Sequence, residues 1–409
     1  MIIKKCRNCQ SSYLKYLFSL GKLSYTGKFP KNNKTNVKKT NVTLVICSNC
    51  SLVQLHHNYN MKYLYNQDYG YRTGVNKTMT THMSKIKKML CAKAKIKSGD
   101  LVLDIASNDG TLLNFYNKSV IKVGIDPLVT RYIKYYKNIE FKIPDFFSLN
   151  VIKKYKIKKK FKIITALSVF YDIKNPNKFL KDVNSVLDDN GIFLLEYADL
   201  FSILKYKMFD TICQEHITYY STKVILKILD KNNLRIFDIK RNSINGGSVQ
   251  YFVCKKNAKF NSNIKSLNSV LKKESKLKLD NVNTYKIFFK SIIKIKYKLL
   301  NFLDNLIANN KIIHGYGAST KGNVLLQFFG INRKYIRFIA DRNPNKYNLF
   351  TPGTKINIIS EEKSRLINPD YYLVLPWHFK NEILFREKKL LKKVLNLFFH
   401  FQKFQFVKK

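Results

Sequence analysis

The sequence predicts an α/β fold in which a small cysteine-rich module precedes two β/α units. Two observations carry this expectation. Two CxxC pairs lie in the first 50 residues, and two later segments each show a strand, a glycine turn, a helix and a strand ending in an acid. The second pattern is typical of the nucleotide-binding half of a Rossmann-type sheet. We therefore expect a zinc-binding module and two Rossmann-like domains, at 1–70, 71–255 and 256–409.

The N-terminal module is predicted from its cysteines. Cys6-x-x-Cys9 and Cys47-x-x-Cys50 have the ligand spacing of a four-thiolate zinc site, because each turn presents two sulfurs to one metal ion. A reducing cytoplasm disfavours disulfides, which strengthens the metal interpretation. We predict one structural zinc ion held by these four cysteines.

The first strand of the central unit runs into an acidic loop, Leu101-Val-Leu-Asp-Ile-Ala-Ser-Asn-Asp-Gly110. A pyrophosphate needs backbone N–H groups, and two carboxylates would repel it. Asp104 and Asp109 instead suit a cationic ligand such as S-adenosylmethionine (SAM), and Asp126 at the end of the second strand is placed to accept hydrogen bonds from a ribose. The alternative is that the loop acids are turn and cap residues. The residues assigned to the cofactor site are Asp104, Ser107, Asp109, Gly110, Asp126 and Phe146.

The other elements of the central unit follow from hydrophobic patterning. Helices are expected over 77–96, from Thr111 and over 176–187, and strands at 141–143, 161–166, 191–196, 234–239 and 249–254. The last two strands predict an antiparallel pair. A parallel sheet that ends in a hairpin is therefore expected.

The third part follows a helical connector around 285–299 and restarts with Gly315-x-Gly317 and a later strand that ends in Asp341. A dinucleotide fingerprint would have a third glycine where this chain has Thr320, so the match is weak. One hypothesis is an NAD(P)-dependent oxidoreductase built on this unit. The other is a tight backbone turn in which Lys321 holds an anionic part of a substrate.

The net charge of +49 suggests nucleic acid as a partner, but only 10 of the 75 basic residues are Arg, which reads bases and phosphates bidentately. A zinc-knuckle nucleic-acid-binding protein is therefore the least favoured alternative, and we expect no nucleic-acid partner. No apolar run is long enough to span a bilayer, and no apolar signal region follows the first lysines. We expect a cytoplasmic protein without a membrane partner.

Taken together, the motifs resemble the SAM-dependent sugar-nucleotide C-methyltransferases, along essentially the whole chain. Besides the cysteine pairs and the acidic loop, the resemblance rests on Leu52-Val-Gln-Leu55, Phe209-Asp-Thr-Ile-Cys-Gln-Glu-His216, Tyr219-Tyr-Ser221, Asn245-Gly-Gly-Ser248, Gly315-Tyr-Gly-Ala-Ser-Thr-Lys-Gly-Asn323, Asp341-Arg-Asn-Pro344, Pro352-Gly-Thr354 and Leu375-Pro-Trp-His378. It implies a central class I methyltransferase domain and a C-terminal Rossmann-like domain without a dinucleotide. It also implies methylation at C3 of an NDP-4-keto-deoxyhexose in the cleft between domains.

Methylation at a carbon next to a ketone needs a base and a group that holds the enolate oxygen. By chemistry and by resemblance, His216 is the candidate base, and Glu215 orients it or binds a sugar hydroxyl. Tyr71 is assigned to catalysis, where it binds the sugar or encloses the donor. The residues assigned to substrate binding are Tyr69, Asn245, Lys321 and Asn323.

Two departures from the family pattern concern this site. Many members have Tyr where this chain has Cys213, and Asp172 stands where some members have an active-site histidine. We keep Asp172 among the candidate catalytic residues. The departures bear on the identity of the sugar and on the division of acid–base roles, not on methyl transfer.

Overall fold

The computed structural model describes residues 2–65, 69–388, 396–399 and 405–407. Its strands are β1 Leu14–Ser24, β2 Lys39–Cys47, β3 Val53–Leu55, β4 Leu101–Ile105, β5 Ile121–Ile125, β6 Phe141–Ile143, β7 Phe161–Leu167, β8 Leu187–Tyr197, β9 Thr218–Tyr219, β10 Leu234–Asn242, β11 Ser248–Lys255, β12 Ile313–Tyr316, β13 Phe338–Asp341, β14 Asn357–Ser360, β15 Tyr371–Val374, β16 Asn396–Phe399 and β17 Gln405–Val407. They form three sheets.

Helices cover and connect these sheets. They are α1 Met61–Leu64, α2 Lys77–Ala94, α3 Val129–Tyr132, α4 Leu149–Lys154, α5 Pro176–Val186, α6 Leu200–Lys205, α7 Thr222–Lys231, α8 Ile264–Lys276, α9 Val282–Ala308, α10 Thr320–Phe329, α11 Glu361–Ile367 and α12 Lys380–Arg386. Within the described residues, no helix combines the length and the apolar character needed to cross a membrane.

The N-terminal sheet has the order β1-β2-β3-β9 and is antiparallel throughout. Its last strand comes from the middle of the chain, where Tyr219 pairs with Val53 and Thr218 with Gln54. The sequence did not predict this pairing, because two residues are too few for a periodic signal. The pairing brings the Glu215-His216 segment against the zinc-binding module.

The central sheet has the order β10-β11-β8-β7-β4-β5-β6. Strands β4 to β8 run parallel, and β11 and β10 form the predicted antiparallel pair at one edge. All five residues of β4 are buried, as expected for a strand covered on both faces. The carboxyl ends of β4, β5, β7 and β8 therefore share one edge, where an open α/β sheet binds its ligand.

Helix α2 covers this sheet and begins one residue after the cap residue Asn76, whose side chain accepts the N–H of Met79. Its buried residues recur at helical spacing and are Met79, Met83, Ile86, Leu90 and Ala94. His82 lies on the same stripe, near the sheet edge. The helix predicted over 77–96 is confirmed within two residues.

The helix predicted from Thr111 is wrong. The chain makes only a short 3-10 turn, Leu113–Phe115, before Tyr116 becomes extended. Both the N–H and the hydroxyl of Thr111 donate to Asp109, so the segment turns around this carboxylate. Local side-chain capping has replaced helix propagation here.

The C-terminal sheet has the order β14-β13-β12-β15-β16-β17 and is parallel except for the last pair. Helix α9 leads into it and packs against the zinc-binding module, where Phe18 stacks on Phe289 with ring centroids 5.0 Å apart. The first and third parts of the chain thus share one hydrophobic core. The central unit lies against both, so a cavity forms where the three parts meet.

Candidate active site

The zinc site is assembled from both ends of the N-terminal module. The sulfurs of Cys6, Cys9, Cys47 and Cys50 all lie within 4.8 Å of one another. Two of the separations are 3.6 Å (Cys6–Cys50) and 3.5 Å (Cys9–Cys47), close to the roughly 3.8 Å edge expected of a ZnS4 tetrahedron. The backbone N–H of Asn8 donates to the Cys6 sulfur. The four thiols fit a closed, structural zinc site, and the predicted ligands are brought together.

One cavity of about 500 Å³ opens at the edge of the central sheet. Its walls come from α2, from the ends of β5, β7 and β8, and from the C-terminal domain around α10 and α12. The predicted site residues that line it are Tyr69, Tyr71, Asp126, Phe146, Asp172, His216, Asn245 and Lys321. A site contributed by two β/α domains is the usual location for a ligand of this size.

Asp126 marks one end of the cavity, just after β5. Its Oδ2 accepts the N–H of Asn108 at 2.9 Å, and its Oδ1 accepts the N–H of Leu128 at 2.7 Å. Burial raises the pKa of Asp126 to about 6. A carboxylate has about four acceptor positions, so two remain for hydroxyl groups in the cavity. This arrangement fits the ribose of a nucleoside, and Phe146 lines the same cavity.

The two carboxylates of the acidic loop make contacts within the protein. Asp104 accepts a hydrogen bond from the Thr165 hydroxyl at 2.6 Å, and burial raises the Asp104 pKa to about 7. Asp109 pairs with Arg72 at 3.2 Å and accepts the N–H of Gly74. Neither carboxylate belongs to the lining of the cavity. Both hold the loop and its surroundings in place, and their assignment to the cofactor site stays a prediction.

The other two loop residues assigned to the cofactor site are also internal. Ser107 is hydrogen-bonded to the hydroxyl of Tyr136 at 2.8 Å. Gly110 has φ +72°, and a Cβ there would lie 3.1 to 3.3 Å from Ile139 and Tyr136. Ala106 and Asn108 form the cavity wall of this loop, both with positive φ. Neither residue carries a charge, so the sequence contained no signal for a role in the site.

His216 lies at the other end of the cavity. Its Nδ1 is 2.7 Å from the Thr211 carbonyl, which can only accept, so Nδ1 carries the proton and Nε2 keeps its lone pair. The ring packs on Tyr171, with centroids 4.1 Å apart. Desolvation, partly offset by the Thr211 hydrogen bond, lowers the pKa of His216 to about 3. The imidazole is therefore neutral and able to accept a proton at Nε2.

Glu215 and Asn323 are buried behind the cavity wall rather than in it. The Thr26 hydroxyl donates to both carboxylate oxygens of Glu215, at 3.2 and 3.0 Å, and the Asn323 amide donates to the Thr26 carbonyl at 2.7 Å. A Cβ on Gly27 would lie 2.9 Å from Glu215. These residues therefore hold the loop after β1 against the segment that carries His216.

Asp172 follows β7 and faces the cavity. Its Oδ2 accepts a hydrogen bond from the Tyr65 hydroxyl at 2.7 Å, and its Oδ1 has no hydrogen-bond partner among the described residues. Burial raises the pKa of Asp172 well above its usual range. Tyr69 contacts Tyr65 edge to face, with ring centroids 5.0 Å apart, and burial raises the pKa of Tyr71 to about 12. This side of the cavity is therefore rich in neutral hydroxyl groups.

A second imidazole was not found from the sequence. His82 Nε2 lies 2.7 Å from Glu196, a buried carboxylate at the end of β8 that also accepts hydrogen bonds from Gln250 and Asn242. Both His82 and Glu196 line the cavity. The sequence did contain a signal for Glu196, because an acid at the carboxyl end of a buried parallel strand lies at the ligand-binding edge of the sheet. The partnership itself joins residues 114 positions apart.

Comparisons with known proteins agree with this architecture. Three family models match consecutive parts of the chain: a zinc binding domain at 6–65, a methyltransferase domain at 76–239 and the C-methyltransferase C-terminal domain at 243–400. With the fold and the ligand edge described above, they define a SAM-dependent methyltransferase with zinc and SAM as its cofactors. The chain belongs to the C-methyltransferases with this three-domain layout.

A curated relative has the same activity in its name. The C-methyltransferase NovU of Streptomyces niveus is 27% identical over 351 residues, which cover 85% of this chain and 83% of NovU. The oxidoreductase hypothesis finds no support, since the unit that suggested it matches a C-methyltransferase domain. The predicted domain boundaries at 70 and 255 remain predictions.

Two solved methyltransferases each cover less than half of this chain. A SAM-dependent methyltransferase from Clostridium acetobutylicum is 15% identical, with 43% of this chain and 92% of that chain covered and a TM-score of 0.35. Magnesium protoporphyrin IX methyltransferase from Synechocystis is 17% identical, with 48% and 92% covered and a TM-score of 0.34. Similarities at this level carry no argument about the site.

Proposed function

We propose that this enzyme methylates the carbon next to the ketone, C3, of an NDP-4-keto-deoxyhexose through an enolate, in the synthesis of a branched deoxysugar. The observation that carries the proposal is that Asp126, His216 and Lys321 line one cavity. A ribose-binding carboxylate, an unprotonated imidazole nitrogen and an ammonium group are the parts that such a reaction needs. The similarity to NovU supports C-methylation.

The reaction can be written from these groups. Asp126 would hold the ribose of bound SAM, which would supply an electrophilic methyl group. His216 Nε2 accepts the proton from C3, and the electrons of the broken C–H bond delocalise onto the ketone oxygen. The enolate carbon then takes the methyl group, the ketone re-forms, and S-adenosylhomocysteine (SAH) and one proton leave. One cavity can hold both reactants and align them. Such alignment supplies much of the rate enhancement.

A sugar nucleotide brings a negatively charged diphosphate, and the C-terminal wall of the cavity offers cations for it. Arg342 and Lys346 both line the cavity just after β13. Arg342 also pairs with Glu382 at 3.3 Å, and Lys346 donates to the Ala318 carbonyl at 2.5 Å. Their charge favours an anionic substrate over a neutral sugar.

We also propose a cytoplasmic location. The four zinc ligands must stay reduced to bind the metal, and a reducing compartment keeps them so. In that compartment the exposed lysines would attract sugar nucleotides, which are small anions.

The test is turnover on a panel of NDP-4-keto-deoxyhexoses with methyl-labelled SAM. We expect SAH formation only with a keto sugar, and the label on the carbon beside the ketone by NMR. His216→Asn should lower turnover at least about 100-fold, as for loss of a general base, while SAH binding is unchanged. His56→Asn, outside the cavity, is the matched control. Label on oxygen, or full activity of His216→Asn, would contradict the proposal.

A further inference from the structure

Lys321 is a cation that lines the cavity together with His216, and its charge acts on that imidazole. It is half-buried in the first turn of α10, and its Nζ donates to the carbonyl of Asn245 at 2.9 Å. An ammonium group has three donors, and no carboxylate of the described residues lies within 4 Å of this one. The side chain therefore presents a charge to the cavity that no ion pair compensates.

Four titratable groups surround this ammonium. Asp210 and Cys213 lie on the segment before the Glu-His pair, and His216 and His378 line the cavity. Asp210 is the acid among them, but its Oδ2 accepts the indole N–H of Trp377 at 2.8 Å. The Cys213 thiol stays neutral, because burial raises its pKa well above the usual range. Burial lowers the pKa of Lys321 and the nearby Asp210 carboxylate partly offsets this, so Asp210 attracts the ammonium group without forming a direct pair with it.

The same short segment ties Lys321 to His216. The 3-10 turn Phe209–Thr211 carries both Asp210 and the Thr211 carbonyl that orients His216. The charge of Lys321 also contributes to the lowered pKa of His216. The ammonium and the imidazole are therefore electrostatic neighbours in one cavity.

We propose that Lys321 Nζ donates a hydrogen bond to the substrate ketone and holds the enolate oxygen while His216 Nε2 takes the proton. This inference rests on the proposed function and extends it. The ketone oxygen and the departing proton sit on adjacent carbons, so the groups that meet them must be neighbours. Lys321 stays protonated throughout, and its hydrogen bond passes from ketone to enolate and back to ketone.

This assignment also explains how a weakly basic imidazole can act as the base. Desolvation and the Lys321 charge both lower the pKa of His216. A developing enolate cancels that charge, so the basicity of His216 rises as the proton moves. Stabilisation is then specific to the transition state, which is where it accelerates the reaction.

The experiment measures enolate formation apart from methyl transfer. With SAH in place of SAM, exchange of the substrate C3 proton in D2O is followed by NMR for the wild type, Lys321→Gln and Lys321→Arg. We expect Lys321→Gln to slow exchange about 100-fold or more, as for loss of one oxyanion donor, with KM little changed. Lys321→Arg should recover part of the rate. Lys296→Gln is the matched control, because the Nζ of that lysine also donates to a backbone carbonyl, that of Phe328 at 2.9 Å, but lies outside the cavity.

A second readout needs no substrate. In Lys321→Gln the pKa of His216, followed by imidazole NMR, should rise, while the thermal midpoint and SAH affinity stay close to wild type. Exchange at the wild-type rate, or a raised KM with unchanged kcat, would overturn the assignment and favour diphosphate binding. If the wild type enolises no keto sugar of the panel, the proposed function itself fails, and the two failures are thereby distinguished.

Discussion

The two β/α units of this protein use the same hydrogen-bond scheme around the acid that ends their second strand. In the central unit, Asp126 accepts the N–H groups of Asn108 and Leu128 at 2.9 and 2.7 Å. In the C-terminal unit, Asp341 accepts those of Ala318 and Asn343, both at 2.7 Å. In each unit, one donor lies in the turn after the first strand. The second donor is the residue two positions after the acid.

Both acids line the cavity, but the groups beside them differ. The cations Arg342 and Lys346 lie beside Asp341, Lys346 donates to the carbonyl of Ala318, and a Cβ on Gly317 would lie 2.6 Å from Pro376. In the central unit the turn packs on Tyr136 and Ile139 from behind, and Asn108 faces the cavity. An acid in this position first holds the turn that precedes it. The charge of the groups beside the acid then determines which ligand it suits.

The largest difference between the two units is expected in SAH affinity when each acid is removed. Asp126→Ala should weaken SAH binding about 100-fold, because hydrogen bonds to a charged group contribute roughly 1.5 to 3 kcal/mol each. Asp341→Ala should leave the affinity nearly unchanged. Calorimetric titration of the two variants gives the answer, and thermal unfolding should show similar losses of stability. An equal loss of affinity would mean that both units bind the nucleoside.

A smaller effect is expected from pH. Burial raises the pKa of Asp126 to about 6, so the carboxylate becomes protonated below that value. Only the ionised form accepts two hydroxyl hydrogen bonds at full strength, so SAH affinity should fall roughly tenfold between pH 8 and pH 5. Titrations across this range check the prediction. Asp126→Asn should remove the Asp126 contribution to the dependence, and a profile identical to wild type would assign the dependence to another group.

The smallest effect concerns the two glycine turns themselves. Gly110 and Gly317 have φ +72° and +82°, so Ala is strained at both. At Gly110 the new methyl group meets side chains at 3.1 Å or more, whereas at Gly317 it meets the rigid ring of Pro376 at 2.6 Å. Gly317→Ala should therefore destabilise the protein by about 1 kcal/mol more than Gly110→Ala, as urea unfolding would show. Equal losses would indicate that Pro376 moves freely.

Much of the site was predictable because its signals are local. Each CxxC pair presents two sulfurs from one turn, and Asp126 ends a strand whose apolar pattern is plain in the sequence. The hydrogen-bond partners of buried side chains could not be predicted in this way. Asp104 and Asp109 were assigned to the cofactor site, and the sequence contained no sign of their contacts with Thr165, Arg72 and Gly74.

The sequence alone is enough to predict the order of the β/α units, the four zinc ligands and His216, which ends the motif that begins at Phe209. The tertiary structure decided the rest. The strand Thr218–Tyr219 joins a sheet that begins at residue 14, and the His82–Glu196 pair and the cavity around Lys321 need segments far apart in the chain. The physical reason is that strand order and turn spacing are encoded in neighbouring residues, whereas the direction of a buried polar side chain depends on whichever partner the completed fold offers.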